Sequence, residues 1–257
     1  MSFLPRRLFL PTLAALALVL ISCWLTTPAL TQAQDEHPAP APPLVAVPPT
    51  PEPPFQLPFA TPPGPTTWLL AQPYGNTINA YYQRNTTYGA SGGIHFGADF
   101  AAPCGTEIVA VADGIVFAVD GPFGSPPHNL MIDHPQVGYA SMYGHLLEMP
   151  RLLPEQPVKQ GQVIALVGDG GGNCNGYPHL HLEVRDLSHI HKYNPAIFIN
   201  ANWNNLTLLG SSTCSFMRDL AAPRKWQTIY DQPEAWIGGP IVNNFASTWP
   251  LDWSLRQ

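Results

Sequence analysis

Charged side chains are scarce in this sequence. Lys and Arg together number 11, and Asp and Glu number 17, among 257 residues. Charged residues therefore make up 11% of the chain, where about 25% is usual. The net charge is −6, and no basic stripe of the kind that nucleic-acid-binding proteins carry is present. We therefore expect no nucleic acid partner.

Apolar runs long enough to span a membrane are also missing. The run from Leu8 to Ile21 is shorter than the ~20 residues that a membrane-spanning helix needs. Arg6 and Arg7 precede it, so residues 1–23 are typical of an export signal. A permanent membrane anchor is the alternative, and Pro11 argues against it. We therefore expect an extracytoplasmic protein.

The end of this signal leaves two fates open. The segment from Leu20 to Cys23 resembles the lipobox of bacterial lipoproteins, although Trp24 is unusual after it. The protein is then either lipid-anchored at Cys23 in the cell envelope or secreted. Contact with a membrane is expected only through the signal or the lipid.

Helical periodicity is the third feature that the sequence lacks. No stretch shows an amphipathic helical pattern over three turns, and short strand-like runs separated by turn signals predict a mostly antiparallel β domain. One such signal, Asp113-Gly114 between residues 107–112 and 115–119, predicts a two-residue hairpin.

Proline is abundant only before the predicted domain. Residues 24–65 are rich in proline, which disfavours helix and sheet and predicts a stiff linker. A proline-rich ligand for an SH3-type domain is the competing interpretation, and it is improbable for an exported protein. The domain is then expected at residues 66–200. Residues 201–257 form a Trp-rich extension that either packs on the core or binds the cell wall.

Several histidines lie at spacings that are typical of metal-binding residues. His179 and His181 are two residues apart in a strand-like run, so both imidazoles point to the same side of the strand. His95 and Asp99 supply a nitrogen and an oxygen ligand of the kind that zinc accepts, and His145 lies between these two segments in the sequence. Together these residues predict a zinc site that keeps one position open for water.

At these residues the chain resembles the lysostaphin/LytM-type zinc endopeptidases, which cut peptide cross-links of bacterial peptidoglycan. The resemblance covers roughly residues 68–198. Its motifs are Gly93-x-His95-x-Gly97-x-Asp99-x-x-x-Pro103-x-Gly105-Thr106, Tyr143-Gly144-His145-Leu146 and Pro178-His179-Leu180-His181-Leu182-Glu183. It implies an all-β fold with a sandwich-like or barrel-like antiparallel sheet.

The resemblance also implies roles for individual residues. One Zn²⁺ per chain would be held by His95, Asp99 and His181, while His145 and His179 would act as catalytic groups. Spacing alone does not decide which member of the His-x-His pair binds metal. Two further residues are expected substrate contacts, namely Tyr88 and Asn76.

The remaining histidines and the cysteines have simpler interpretations. His128, His134, His189 and His191 match no motif position and are expected to be structural or surface residues. Besides Cys23 the chain has three cysteines, which predicts one disulfide and one free thiol in an oxidising compartment. The pair Cys104 and Cys174 is favoured because each lies near a proposed site segment, and Cys214 is then the free thiol.

The favoured function is therefore an exported zinc endopeptidase, expected as a monomer, that acts on peptidoglycan peptides. A non-catalytic module that binds the wall or regulates another hydrolase is the alternative, although degenerate relatives of that kind typically lack one or more of the five site positions. A wall-anchoring lipoprotein that binds through its Trp-rich tail is a third possibility.

Overall fold

The computed structural model describes residues 52–209, 228–230, 232 and 234–236. The strands, in chain order, are β1 (Leu69–Gln72), β2 (Ala98–Ala101), β3 (Glu107–Val109), β4 (Gly114–Val119), β5 (His128–His134), β6 (Tyr139–Leu146), β7 (Pro157–Val158), β8 (Val163–Leu166), β9 (His179–Asp186), β10 (His191–Tyr193) and β11 (Ala235–Trp236). The helices are α1 (Ile78–Tyr82), α2 (Pro195–Phe198) and α3 (Trp203–Leu209), and Gly89–Ser91 form one turn of 3-10 helix.

Within this described part, nine strands pair into one antiparallel sheet. Its main order is β1-β2-β9-β6-β5-β4-β7, with β10 joining β9 to β11, while β3 and β8 form a separate two-stranded sheet. The predicted antiparallel β architecture is therefore confirmed, as an open sheet rather than a barrel. No helix within the described ranges has the length and apolar character needed to cross a bilayer.

Strand β9 separates the core from the opposite face of the sheet. Leu180, Leu182 and Val184 alternate along it and are buried in the main hydrophobic cluster. The intervening side chains point to the other face because successive residues of a strand alternate. The central strand thus packs against the core with one face and presents histidines on the other.

The packed domain begins earlier than the predicted boundary at residue 66. Phe55 and Phe59 lie within the predicted linker, yet both side chains are buried in the core. The Phe55 amide donates to the Phe198 carbonyl at 2.9 Å, and the Phe59 ring stacks on Trp68 with ring centroids 5.1 Å apart. Proline content predicted an extended backbone here, but these aromatic side chains give the segment apolar area to bury.

The predicted hairpin at Asp113-Gly114 does not form. Strand β3 pairs with β8, whereas β4 pairs with β5 and β7. The Asp113 carboxylate instead accepts hydrogen bonds from the Gln160 amide at 2.9 Å and from Lys159 Nζ at 2.8 Å. The strands on either side of Asp113-Gly114, β3 and β4, therefore pair with other strands and not with each other.

The start of the predicted C-terminal extension packs on the domain. Trp203 and Leu206 of α3 are buried in the main cluster, as is Ile229, and Trp203 Nε1 donates to the Ile199 carbonyl at 3.2 Å. Further along, β11 pairs with β10. Trp226, Trp249 and Trp253 lie outside the described residues.

Candidate metal centre

Strand register brings the predicted ligands together. Gln72 pairs with Asp99, Asp99 pairs with His181, and His181 pairs with Gly144 across four neighbouring strands. Residues that are directly opposite each other in a sheet share a face, so this row places the Asp99 carboxylate beside the His181 imidazole. The fourth member, Gly144, contributes no side chain to the row.

Three donor atoms form a tight triangle at this row. His181 Nδ1 lies 2.8 Å from Asp99 Oδ1, and His95 Nε2 lies 3.1 Å from each of these two atoms. All three side chains are buried, and this cluster has the composition and spacing of a metal-binding group. We refer to His95, Asp99 and His181 as the donor triangle.

The donor triangle fits a zinc ion. Zinc ligands lie about 2.0–2.2 Å from the ion, and in a tetrahedron they are about 3.3–3.6 Å apart. The three observed separations are a few tenths of an ångström shorter, so small side-chain shifts would admit the ion. Two imidazole nitrogens and one carboxylate are also the ligand types that catalytic zinc sites use.

Each histidine of the triangle is oriented through its other ring nitrogen. His95 Nδ1 is 2.9 Å from the Pro73 carbonyl, and His181 Nε2 is 3.1 Å from Glu183 Oε1. Because a carbonyl or carboxylate oxygen accepts, these nitrogens carry protons, and the other ring nitrogens, His95 Nε2 and His181 Nδ1, face the triangle. Gly97 leaves room for this arrangement, since a Cβ there would come within 2.8 Å of the His181 ring.

Glu183 is held by a buried arginine. Arg185 Nε donates to Glu183 Oε2 at 2.7 Å, and its terminal nitrogens donate to the carbonyls of Phe123 and His189. Burial raises the pKa of Glu183, but Arg185 and the hydrogen bond from His181 outweigh it and bring that pKa to about 2. The carboxylate is therefore ionised and aligned toward His181.

The same interactions tune the donor triangle. Burial opposes ionisation of Asp99, yet His95 and the hydrogen bonds from both histidines hold its pKa well below its usual range. Burial likewise disfavours a charged His181, but Asp99 and Glu183 raise its pKa to about 9. The site is thus organised to hold positive charge next to two carboxylates.

The two predicted catalytic histidines lie beside the triangle. The ring centroids of His145 and His179 are 4.7 Å apart, and the His145 centroid is 5.9 Å from that of His181. His145 Nδ1 donates to the Pro126 carbonyl at 2.6 Å, and His179 Nδ1 donates to the Tyr177 carbonyl at 2.8 Å. Both Nε2 atoms therefore keep their lone pairs.

His145 is further biased toward the neutral form. Burial is the main cause that lowers its pKa to about 4, and His181 adds to the shift. Its backbone φ is +57°, an uncommon value for a residue other than glycine. A neutral imidazole held in this way is able to accept a proton at neutral pH.

One of the two predicted substrate contacts lies at the site. The Tyr88 ring stands edge-on to His95 with centroids 5.7 Å apart, and its hydroxyl donates to Gln72 Oε1 at 3.3 Å. Asn76 is buried instead, and its backbone amide donates to Gln232 Oε1 at 2.7 Å. Of the two, Tyr88 lines the cavity at the site and Asn76 does not.

A cavity of about 740 Å³ opens over these groups, which is within the usual range for small-molecule and peptide sites. All five predicted metal-binding and catalytic residues line it. Its other walls are mostly small and aromatic, and they include Phe96, Phe123, Ser125 and Tyr177.

The predicted disulfide is present. Cys104 and Cys174 are bonded to each other, with Cα atoms 5.7 Å apart. Asp169 organises the loop that carries Cys174, because its carboxylate accepts hydrogen bonds from the amides of Gly171, Asn173 and Gly176. The favoured cysteine pairing is therefore confirmed, while Cys214 lies outside the described residues.

The other histidines have the structural roles that were expected. His134 is buried between the Asp113 carbonyl and Ser141 Oγ, each 2.8 Å away. The remaining ones pair with nearby carboxylates, namely His128 with Asp120, His189 with Asp133 and His191 with Asp186. None of these four residues lines the cavity over the donor triangle.

Sequence reasoning missed Glu183 and Arg185 as parts of the site. Both side chains continue the face of β9 that begins with His179 and His181, since all four positions are two residues apart. That alternation was available in the sequence as a signal. What the strand pattern could not indicate is that the charged pair is buried, because burial depends on neighbouring strands.

Residues 93–195 match the pattern of Peptidase family M23. Among similar proteins, DD-carboxypeptidase/endopeptidase Mpg of Neisseria meningitidis is 38% identical over 92 residues, which cover 36% of this chain and 20% of that protein. A zinc containing peptidase from Vibrio cholerae is 28% identical, with 51% of this chain and 36% of that chain covered and a TM-score of 0.39. The catalytic domain of lysostaphin from Staphylococcus simulans is 22% identical, with 50% of this chain and 90% of that chain covered and a TM-score of 0.40. The match to the Neisseria protein thus spans about a fifth of its length.

Proposed function

We propose that the protein is an exported zinc metalloendopeptidase that hydrolyses peptide cross-links of bacterial peptidoglycan, since residues 93–195 match Peptidase family M23. The observation that carries the proposal is the donor triangle, with separations of 2.8–3.1 Å, beside two oriented imidazoles in one cavity. Peptide-bond hydrolysis is supported by the name of the Neisseria relative.

His95, Asp99 and His181 would hold the metal. A zinc ion bound by three protein ligands lowers the pKa of a bound water to about 7 and polarises a carbonyl oxygen. The protein's own contribution is to keep the ligand lone pairs aimed at one point. The Pro73 carbonyl does so for His95, and Glu183 does so for His181.

His145 and His179 would move the proton. Each donates from Nδ1 to a backbone carbonyl, so each presents its Nε2 to the cavity. Such a group can take a proton from the attacking water and return it to the leaving amine, which contributes about 10²–10⁴-fold to the rate. Both rings line the same cavity, and their centroids are 4.7 Å apart, so both can reach one bound peptide.

Two features support an extracytoplasmic compartment. The export signal expected at residues 1–23 would deliver the chain across the membrane, and the Cys104–Cys174 disulfide is typical of oxidising, extracytoplasmic locations. Peptidoglycan lies in that compartment. The resemblance to lysostaphin/LytM-type enzymes supports the same substrate, and we propose that the chain acts on it as a monomer.

Substitution of the two proposed proton carriers tests the enzyme directly. We expect His145→Ala and His179→Ala each to lower kcat for peptide release from purified peptidoglycan by about 10²–10⁴-fold, with zinc content unchanged. The control is His128→Ala, which removes a partly exposed histidine paired with Asp120 and should leave the rate near that of the parent. If both variants retain the parent's turnover, the proposed roles of His145 and His179 are wrong. The non-catalytic alternative instead predicts that neither the parent nor any variant releases peptides.

A further inference from the structure

Residues 73–77 hold His95 from the side away from the donor triangle. The Pro73 carbonyl accepts a hydrogen bond from His95 Nδ1 at 2.9 Å. Gly75 and His95 also exchange two backbone hydrogen bonds, of 2.9 and 3.0 Å. Both the ring and the backbone of this predicted ligand are therefore fixed to one loop.

Gln232, which lies 37 residues beyond the family match ending at residue 195, packs against this loop. Its Oε1 accepts the Asn76 backbone N–H at 2.7 Å, and its Nε2 donates to the Thr228 carbonyl at 2.8 Å. Gly75 has a φ of +107°, and a Cβ there would overlap the Gln232 side chain. A glycine is thus needed both for the backbone conformation and for this close approach.

The C-terminal segment that carries Gln232 is itself anchored. Asn194 Nδ2 donates to the Ile229 carbonyl at 2.6 Å, and the Ile229 side chain is buried in the core. Ala235 pairs with Lys192 of β10, which in turn pairs with Arg185 of β9. The segment therefore bridges β9, which carries His181, and the loop that orients His95.

We propose that residues 228–230, 232 and 234–236 are a positioning element of the metal centre, in which Gln232 fixes the loop that aims His95 at the donor triangle. This inference rests on the proposed zinc peptidase function. Gln232 is a positioning residue, because it acts through Gly75 and Asn76. Part of the Trp-rich extension would then serve metal binding rather than wall binding.

Zinc affinity of the full chain tests the proposal, measured by competition with a chelator. Gln232→Met keeps the length of the side chain but removes the acceptor for the Asn76 amide. We expect it to weaken zinc binding on the order of tenfold, which is the lower end of the range for lost outer partners of metal ligands. Gln232→Glu keeps an acceptor oxygen and should retain most of the affinity.

Two controls separate positioning from simple loss of stability. Ile164→Val trims one buried methylene from β8 in the separate two-stranded sheet and should lower the melting temperature without weakening zinc binding. Gln136→Met changes an exposed glutamine in the turn between β5 and β6 and should change neither quantity. If Gln232→Met binds zinc as tightly as the parent, the inference is wrong and the proposed function stands. If the parent itself binds no zinc, both this inference and the proposed function are wrong.

A second measurement uses the unaltered chain, so it does not depend on a variant that folds. Coupling between two sites is reciprocal. If residues 228–230, 232 and 234–236 help to position His95, zinc binding must in turn stabilise those residues. We expect amide hydrogen exchange in the peptide spanning residues 228–236 to slow severalfold when zinc is added to the metal-free chain. Equal exchange with and without zinc would overturn the inference.

Discussion

At the residue scale, the carboxylate behind His181 has the most specific role. Glu183 is buried, ionised and held by Arg185, and its Oε1 lies 3.1 Å from His181 Nε2. Such a partner fixes the tautomer and orientation of a ligand histidine and increases its basicity. The chain thus surrounds one imidazole with carboxylates at both nitrogens, Asp99 at Nδ1 and Glu183 at Nε2.

We expect Glu183→Gln to weaken zinc binding by about 10–100-fold. The amide loses the negative charge, and its NH₂ group would face either Arg185 Nε or the His181 Nε2 proton, both of which are donors. Chelator competition measures the affinity, and Glu155→Gln, at an exposed position, is the matched control. Unchanged affinity in the Glu183 variant would show that this carboxylate does not orient the ligand.

A second residue-scale consequence concerns stability and pH. Burial lowers the pKa of His134, although the Asp113 carbonyl opposes the shift. The unfolded chain takes up a proton on this imidazole near pH 6.5, whereas the folded chain resists it. The unfolded state therefore binds more protons, and the contribution of His134 to stability is lost as the pH falls below about 6.5.

This dependence is measurable by urea unfolding between pH 7.5 and 5 with a chelator present throughout. We expect His134→Gln to remove part of the decline in unfolding free energy seen for the parent, by at most about 1.4 kcal/mol per pH unit. Comparison of the two chains cancels the titration of the donor triangle. A variant with the same slope as the parent would contradict the assignment.

At the element scale, β9 shows what the sequence could and could not predict. Alternation along His179, Leu180, His181 and Leu182 predicts that both histidines share a face, and the structure confirms it. The predicted role of His181 as a metal ligand depends on its register opposite Asp99 in β2, 82 residues away. Such long-range register is set by packing of the whole sheet, so the motif resemblance had to supply it.

Local sequence patterns predicted the structure least well where a segment contacts residues that are distant in the sequence. The Asp113-Gly114 pair is a strong turn signal, but Lys159 and Gln160 engage the aspartate and β4 pairs elsewhere. Phe55 lies among prolines in the sequence, yet its amide donates a hydrogen bond to the Phe198 carbonyl of α2 and its side chain is buried. In both cases tertiary contacts override a local pattern.

The disulfide joins the segment that follows β2 to the loop that precedes β9, and the effect of its removal on stability is measurable. Cys104 and Cys174 are 70 residues apart in sequence, and a bond that closes a loop of this size typically stabilises a protein by about 2–4 kcal/mol. We expect the double variant Cys104→Ala, Cys174→Ala to unfold at correspondingly lower urea concentration. Reductant should destabilise the parent and leave the double variant unaffected, and equal stability of the two chains would contradict this account.

At the scale of the whole molecule, the domain is larger than the segment that matches the family. Residues 93–195 carry the donor triangle and both proposed proton carriers. Phe55 and Trp68 before this segment, and Ile229 after it, nevertheless belong to the same hydrophobic cluster. The supports of His95, from the Pro73 carbonyl to Gln232, also lie outside it. Motifs locate the reactive groups, whereas the surrounding chain holds them in place.

One zinc ion held by the donor triangle is proposed to make this protein a peptidoglycan hydrolase. Metal content and cleavage of purified peptidoglycan should be measured on the same sample of the full chain, with chelator and zinc add-back. We expect about one zinc per chain and release of peptides that stops with chelator and returns with zinc, and the fragment masses would identify the bond. Stoichiometric zinc without any peptide release, or release that is insensitive to chelator, would contradict the account.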